Sequence, residues 1–371
     1  MKFSVSSSEL LKHLQLAAGS IGSNQVYPIL EDFLFTIQKN QLHIVASDLE
    51  TFFTSHLEVM ADGDGVIAVP AKILLDTLKA LPQQPITFDI NENNLSIEIT
   101  SAYGKYKLAG ENGAEYPEIP SPENVEQISI PSDILQMGIS KTIFAVSQDE
   151  LRPPMTGVFF EIDKEKLNLV ATDAHKLVKF TFFGLDSKVT TSFIVPKKAL
   201  NLIKNALPDH GSVSLSFNDK NAFFSFGSIK LICRLIDSRY PDYNAVIPAN
   251  NPHLLTLQKN DFQNSLKRIV IYANKTTNQV MLKINSENIA VSAQDIDFSN
   301  EAAEMINFVY EGDPITIGFN AKFLIEMLGV LDSDEVKIEL STPARAGILV
   351  PSEQAENTEI LMLVMPVMLG N

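Results

Sequence analysis

One module is written three times in this chain. VIAVPAKILLDTLKALP begins at Val66, IVPKKALNLIKNALP begins at Ile194, and ITIGFNAKFLIEMLGVLD runs from Ile315 to Asp332. Each reads as a short apolar strand, then Pro or Asn, then a basic residue within two positions, then an amphipathic helix. The landmarks Pro70, Pro196 and Asn320 fall about 125 residues apart, whereas solenoid repeats run about 20 to 50, so the repeating unit is a whole domain.

Other landmarks keep this register. QLHIVASDLETFFTSHLEV from Gln41, KLNLVATDAHKLVKFTF from Lys166 and NIAVSAQDIDFSNEAAEM from Asn288 are each an alternating strand, an aspartate and a second strand. The aspartates are Asp48, Asp173 and Asp295, and a once-per-domain recurrence points to turn chemistry rather than to one active site. Each copy opens with a helix, in SSELLKHLQLAAG from Ser7, SDILQMGISKTIFAV from Ser132 and NDFQNSLKRIVIYA from Asn260. Ser7, Ser132 and Asn260 are expected N-caps, each followed by an acidic residue near the positive helix end. The domains are expected at residues 1–120, 128–248 and 253–371, each made of two similar halves. Strands that alternate apolar with polar, and two helices per domain, give an α+β fold with one sheet face covered.

The formal net charge is −16, which taken alone argues against a polyanionic partner. Its distribution changes that conclusion. Helices are expected near 7–19, 71–81, 132–146, 197–207, 260–273 and 321–331. Their basic residues are Lys12, Lys72, Lys79, Lys141, Lys197, Lys198, Lys204, Lys267, Arg268 and Lys322. Against these ten stand five acids, about +5, so the rest of the chain carries about −21. A basic helical surface on an acidic body attracts a polyanion to one place. Neither a helix-turn-helix nor a zinc finger is written, so contacts would go to phosphates and be blind to sequence.

Motifs for catalysis are missing. Asp173 and His175 lie on one strand-to-turn segment without a nucleophile nearby, and the six histidines, at 13, 43, 56, 175, 210 and 253, form no ligand pair. ADGDGV at Ala61 lacks the Glu of a calcium loop and reads as a hairpin turn. No phosphate-binding P-loop occurs. No metal or cofactor is expected. The single cysteine, Cys233, excludes an internal disulfide. With no apolar run of about 20 residues and no signal-peptide pattern, the expected location is the cytoplasm, away from membranes.

Three tandem domains, ATDAHKL, RYPDY and the VMPVML tail together resemble the bacterial DNA polymerase III beta subunit family, the sliding clamps, over the whole chain. The resemblance implies domains of two β-α-β-β-β halves. It implies a head-to-tail homodimer whose helices line a pore around duplex DNA, with sheets outside. It implies a non-catalytic processivity factor that tethers the replicative polymerase alpha subunit, the delta subunit of the clamp loader, repair polymerases and mismatch-repair proteins. By motif match the partner-peptide pocket comprises Met155, Thr172, His175, Lys176, Leu177, Pro241, Val246, Leu363, Val364, Met365, Pro366 and Met368. The helix lysines and Arg268, with Arg152, would face DNA, and Tyr106 and Leu108 would meet Ile271 and Tyr272 between subunits. The chain departs from the family at Asn244-Ala245 and at Asn24, where a basic residue is frequent. Two other classes stay open on the residues alone: a three-domain enzyme acting on a small molecule, and a scaffold with no DNA role.

Overall fold

A computed structural model describes residues 1–22, 27–123 and 125–369; Asn24 lies outside them. Copy one contains β1 (Lys2–Ser6), α1 (Ser7–Ala17), β2 (Asp32–Gln38), β3 (Gln41–Ser47), β4 (Thr51–Glu58), β5 (Met60–Ala61), β6 (Gly65–Pro70), α2 (Ala71–Ala80), β7 (Pro85–Asn91), β8 (Ser96–Thr100) and β9 (Lys105–Ala109). Copy two contains β10 (Glu126–Pro131), α3 (Ser132–Thr142), β11 (Gly157–Ile162), β12 (Lys166–Thr172), β13 (Lys176–Phe183), β14 (Thr191–Pro196), α4 (Lys197–Ala206), β15 (Ser212–Phe217), β16 (Asn221–Phe226) and β17 (Ile229–Arg234). Copy three contains β18 (His253–Gln258), α5 (Lys259–Ile269), β19 (Gln279–Ile284), β20 (Ile289–Asp295), β21 (Asn300–Ile306), β22 (Phe308–Glu311), β23 (Ile315–Asn320), α6 (Ala321–Gly329), β24 (Glu335–Leu340), β25 (Gly347–Pro351) and β26 (Thr358–Val364).

The α+β expectation holds, with a refinement. Each half gives its first strand to the other half's sheet: β1 pairs with β7 and β6 with β2, and copy three repeats this as β18 with β24 and β23 with β19. The sheets then run on across repeat boundaries. β17 of copy two pairs with β4 of copy one in an eight-stranded sheet, and β13 of copy two pairs with β26 of copy three in a nine-stranded sheet. The chain accordingly divides into two compact units, Met1–Gln136 with Lys198–Leu235, and Met137–Lys197 with Ile236–Asn371. Each unit holds one complete outer copy and one sheet of the middle copy.

Helix faces follow the expected period. α1 buries Leu10, Leu14 and Ala17, α2 buries Leu74 and Leu78, and α6 buries Ala321, Leu324, Met327 and Leu328. In copy one Phe3 stacks on Phe88 with ring centres 4.7 Å apart, and Phe35 meets both edge-on. The expected N-caps are not caps. The first helices start at Ser7, Ser132 and Lys259, and each first N–H is taken by a distant loop carbonyl: Gln84 at 2.9 Å, Gly211 at 3.0 Å and Asp334 at 2.8 Å. A donor satisfied from across the domain needs no capping hydroxyl. The Ser7 hydroxyl instead bonds the loop itself, donating to the Pro82 carbonyl and accepting from the Gln84 N–H. Each first helix also ends in a short 3₁₀ turn, at Ala18–Ser20, Ile143–Ala145 and Val270–Tyr272.

The recurrent aspartates are turn residues, as expected. Asp48 Oδ1 accepts the Glu50 and Thr51 N–H groups, Asp173 Oδ1 those of His175 and Lys176, and Asp295 Oδ1 that of Asp297. A second device recurs after the last strand of each copy, where the chain clips onto an edge strand. Glu111 exchanges bonds with Ala68, Ile236 donates to Ile194 at 3.0 Å, and Val367 donates to Gly318 at 2.8 Å.

Asp32 sits at the start of β2 and is only 7% exposed, and its Oδ2 has no hydrogen-bond partner. Burial, reinforced by the Glu111 and Glu31 carboxylates, pushes its carboxyl up to about 7. The folded state thus keeps a proton that the unfolded chain releases near pH 4, so stability falls as pH rises from about 4 to about 7. Asp32→Asn is expected to flatten that slope and to stabilise the protein at pH 8 by about 1–2 kcal/mol, allowing for partial hydration of the carboxyl. Urea unfolding at pH 5 and pH 8 measures it; parallel pH dependence in both proteins would exclude this role for Asp32.

Candidate functional site

All the residues expected in the apolar pocket belong to one compact unit. The pairing of β13 with β26 sets Leu177 opposite Leu363 and Lys176 opposite Val364. Val170, Leu177, Ile194, Tyr240, Tyr243, Ala346 and Leu363 form the buried floor, with Phe159, Ile236 and Ile247 packed against it. Tyr240 stacks on Phe159 at 4.5 Å and its hydroxyl donates to the Val170 carbonyl. The Tyr243 hydroxyl donates to Glu161 at 2.6 Å. Burial raises both phenols, so they stay protonated donors.

The expected residues separate into floor and rim. Thr172, Lys176, Leu177, Leu363 and Val364 are buried, whereas Met155 and Pro366 are half-buried and His175 and Pro241 exposed. Val246, Met365 and Met368 are apolar yet 53%, 41% and 76% exposed. Exposed aliphatic side chains around an apolar floor make a surface suited to an apolar segment, and methionine adapts to different shapes.

Lys176 was expected in the pocket, but not as a buried charge. Its ammonium is buried between Asp173 at 3.0 Å and Glu326 at 3.1 Å and lies 4.3 Å from the Phe323 ring centre. His175 stacks on the same Phe323 ring at 6.2 Å. The turn between them places Ala174 at φ 76° and leaves the His175 carbonyl to accept the Met365 N–H at 2.8 Å. Both Asp173 oxygens are engaged in this turn, which removes the Asp–His pair as a catalytic arrangement. Phe323, Glu326, Ala346 and Tyr243 escaped the sequence reading as pocket residues. Phe323 and Glu326 lie on α6, far away in sequence, and only the fold brings them beside Lys176.

The basic residues are not equivalent. Lys12, Lys72, Lys79, Lys198, Lys267, Arg268 and Lys322 are exposed, and Lys197, Lys204 and Arg152 are half-buried. Lys141 is buried, bonded to Asp332 at 2.6 Å and to the Val330 carbonyl, so its charge is used inside the protein, against the expectation that it faces DNA. Arg268 forms a two-pronged pair with Glu304, Arg152 pairs with Asp149, and Lys198 pairs with Asp48. Lys259, which opens α5, adds an eleventh helix cation and donates to the Leu331 carbonyl. At the outer edges, Tyr106 is half-buried and Leu108 packs inside its own domain, whereas Ile271 and Tyr272 are 62% and 43% exposed. The Cys233 thiol is fully buried at the β17–β4 junction and pushed up to about 12, which leaves it inert.

Three models of one protein family match consecutive stretches: the DNA polymerase III beta subunit N-terminal domain over residues 1–120, its central domain over 129–242 and its C-terminal domain over 244–367. The chain belongs to the DNA polymerase III beta subunit family. A beta sliding clamp from Vibrio cholerae is 29% identical over 372 residues, covering all of both chains. The solved structure of a Pseudomonas aeruginosa DnaN sliding clamp bound to griselimycin matches all of both chains at 25% identity and a TM-score of 0.94. The DNA polymerase sliding clamp of Bacillus subtilis shares the fold at 24% identity and a TM-score of 0.94, again over all of both chains. The three repeats are thus tandem clamp domains, and the chain is a non-catalytic clamp subunit of DNA polymerase III.

Removing the Lys176 ammonium leaves Asp173 and Glu326 facing each other without a cation. Lys176→Met is expected to cost about 2 kcal/mol, below the range for a wholly buried pair because Glu326 is partly solvated. Urea unfolding measures it, and a loss under about 0.5 kcal/mol would mean that the network contributes only shape.

Proposed function

We propose that this beta subunit assembles head to tail into a cytoplasmic homodimer that encircles duplex DNA and slides on it without reading sequence. Domains 1–120, 128–248 and 253–371 would supply six ring segments per dimer. The pocket bordered by Met155, Thr172, His175, Pro241, Val246, Met365 and Met368 would take a short apolar peptide from the replicative polymerase, the clamp loader or repair proteins. One tethered ring then raises the local concentration of its partner without new DNA contacts.

The observation that carries this reading is that two sheet edges are the unmatched counterparts of the edges joined at the repeat junctions. Within the chain, each repeat junction joins an edge like β17 or β26 to an edge like β4 or β13. Among the terminal strands of the four sheets, β9 in copy one and β21 in copy three are the remaining members of the same two classes, and neither has a neighbour on its outer side among the described residues. Unpaired edges demand partners. The aspartate turns and the main-chain clips fix the correspondence between copies. Through it, the Leu363–Leu177 and Ile232–Phe52 pairs become Lys107 against Glu301 of a second copy. The pairing joins opposite charges and is heterologous, so it continues until it closes.

Swapping the charge at one edge should open the dimer, and swapping both should restore it. Lys107→Glu or Glu301→Lys is expected to raise the dimer dissociation constant at least tenfold, about 1.4 kcal/mol, and the double variant to recover most of it. Light scattering over a dilution series reads this; a double variant no tighter than the singles would refute the register. The helix charges give a separate test. Each phosphate contact contributes up to about 0.9 to the salt slope of DNA affinity. Lys72→Gln, Lys79→Gln and Lys322→Gln are expected to flatten the slope, while Lys141→Gln leaves it unchanged. Equal effects from all four would remove the helix faces from the DNA contact. The scaffold and small-molecule enzyme readings predict no retention on circular DNA, whereas a closed ring is held on circles and lost from linear ends.

A further inference from the structure

The segment after Val364 is held at two points. Met365 donates its N–H to the His175 carbonyl of copy two, and Val367 donates its N–H to the Gly318 carbonyl of copy three, each at 2.8 Å. Between and beyond these bonds the side chains divide. Val367 and Leu369 are half-buried, while Met365 and Met368 stay exposed. The tail is thus a strap laid along the edge of β23 with its two methionines turned outward.

The clip onto β23 is the third instance of a device that the other copies also use, at Ala68 and at Ile194. Those two positions carry side chains, so the clip itself does not demand glycine. Copy three differs because its tail folds back over the clip. A Cβ built on Gly318 would lie 2.7 Å from the Val367 carbonyl oxygen and 2.8 Å from Leu369 Cδ2. The first contact is with backbone and cannot be relieved by a rotamer change. Gly318 has an ordinary backbone conformation, being absent from the positive-φ residues, so the requirement is for space.

We propose that Gly318 is a positioning residue for the peptide pocket: its bare backbone lets the tail strap clip to β23, and the clip presents Met365 and Met368 to the incoming peptide. This rests on the peptide-pocket reading above. Gly318 acts through the Val367 and Leu369 anchors.

The full chain tests it with two variants. Gly318→Val fills the space under the strap. Val367→Pro removes the N–H that Gly318 accepts while leaving β23 untouched. Carbon-13 labelling of the methionine methyl groups reports the strap directly, with buried Met327 and Met362 as controls for folding. The binding probe is a fluorescein-labelled peptide that alternates leucine with polar residues and ends in phenylalanine. Both variants are expected to move the Met365 and Met368 signals toward free methionine, to leave Met327 and Met362 in place, and to weaken peptide affinity at least tenfold. The dimer mass is expected to stay unchanged. Unmoved Met365 and Met368 signals in both variants would overturn the proposal. Moved signals with full peptide affinity would overturn the pocket reading and the presenting role together, while the strap itself would stand. If Gly318→Val also disturbs the control signals, Val367→Pro decides by the same two criteria.

Discussion

Main-chain hydrogen bonds across the repeat boundaries are the constraint on which this structure depends. A β-strand presents donors and acceptors on both sides, and an edge left unpaired invites association. β17 meets this demand by pairing with β4, and β26 by pairing with β13. The consequence is that the structural unit is not the sequence repeat. The middle copy lends one sheet to each neighbour, which is why the compact units cut through it. The β13–β26 seam also creates the candidate pocket, because it brings Leu177 against Leu363 and the His175 turn against Met365.

Much of this was legible in the residues, and the failures have a common cause. The strand–helix module at Pro70, Pro196 and Asn320, the Asp48, Asp173 and Asp295 turns and the six helices depend on local pattern, and the structure has them. The caps were misread because Ser7, Ser132 and Asn260 look like local N-caps, whereas the donors of Ser7, Ser132 and Lys259 are met by Gln84, Gly211 and Asp334 from elsewhere in the domain. The exchange of first strands between half-sheets leaves no mark on hydropathy, since β1 and β6 keep the same alternation whichever sheet they join. Lys141 was expected to face DNA and Lys176 to line the pocket, and the burial of both was hidden because their partners, Asp332 and Glu326, are distant in sequence. The pocket's apolar members were visible as a tail and a Tyr-Pro turn, but the α6 residues behind Lys176 were not.

The recurrence of the device after each last strand clarifies what the repeat preserves. Copies one and two share the Tyr-Pro ending, yet the bonded positions are Glu111 on Ala68 and Ile236 on Ile194, which share no side-chain chemistry. A main-chain interaction can be kept while sequence drifts, because any residue except proline offers the same N–H and C=O. What sequence must preserve is space, and Gly318 is the point where that requirement becomes visible.

The same reasoning bears on the basic helices under the clamp reading. Sliding needs contacts that hold DNA centred yet break readily, so a few exposed, mobile ammonium groups serve better than many fixed guanidinium forks. The structure sorts its cations along this line. Arg268 and Arg152, the two arginines among the expected contacts, are held by Glu304 and Asp149. Arg268 keeps its bidentate geometry for a carboxylate of its own chain, which draws Glu304 below the usual carboxylate range. Lys12, Lys72, Lys79 and Lys322 are exposed and form no ion pair among the described residues, and they carry flexible point charges. A phosphate arriving at Arg268 would have to displace Glu304, whereas one arriving at Lys72 displaces only water and counterions. Under that reading the weaker competitor would decide where the backbone rests, and the electrostatic contact would fall to Lys12, Lys72, Lys79 and Lys322 rather than to the arginines.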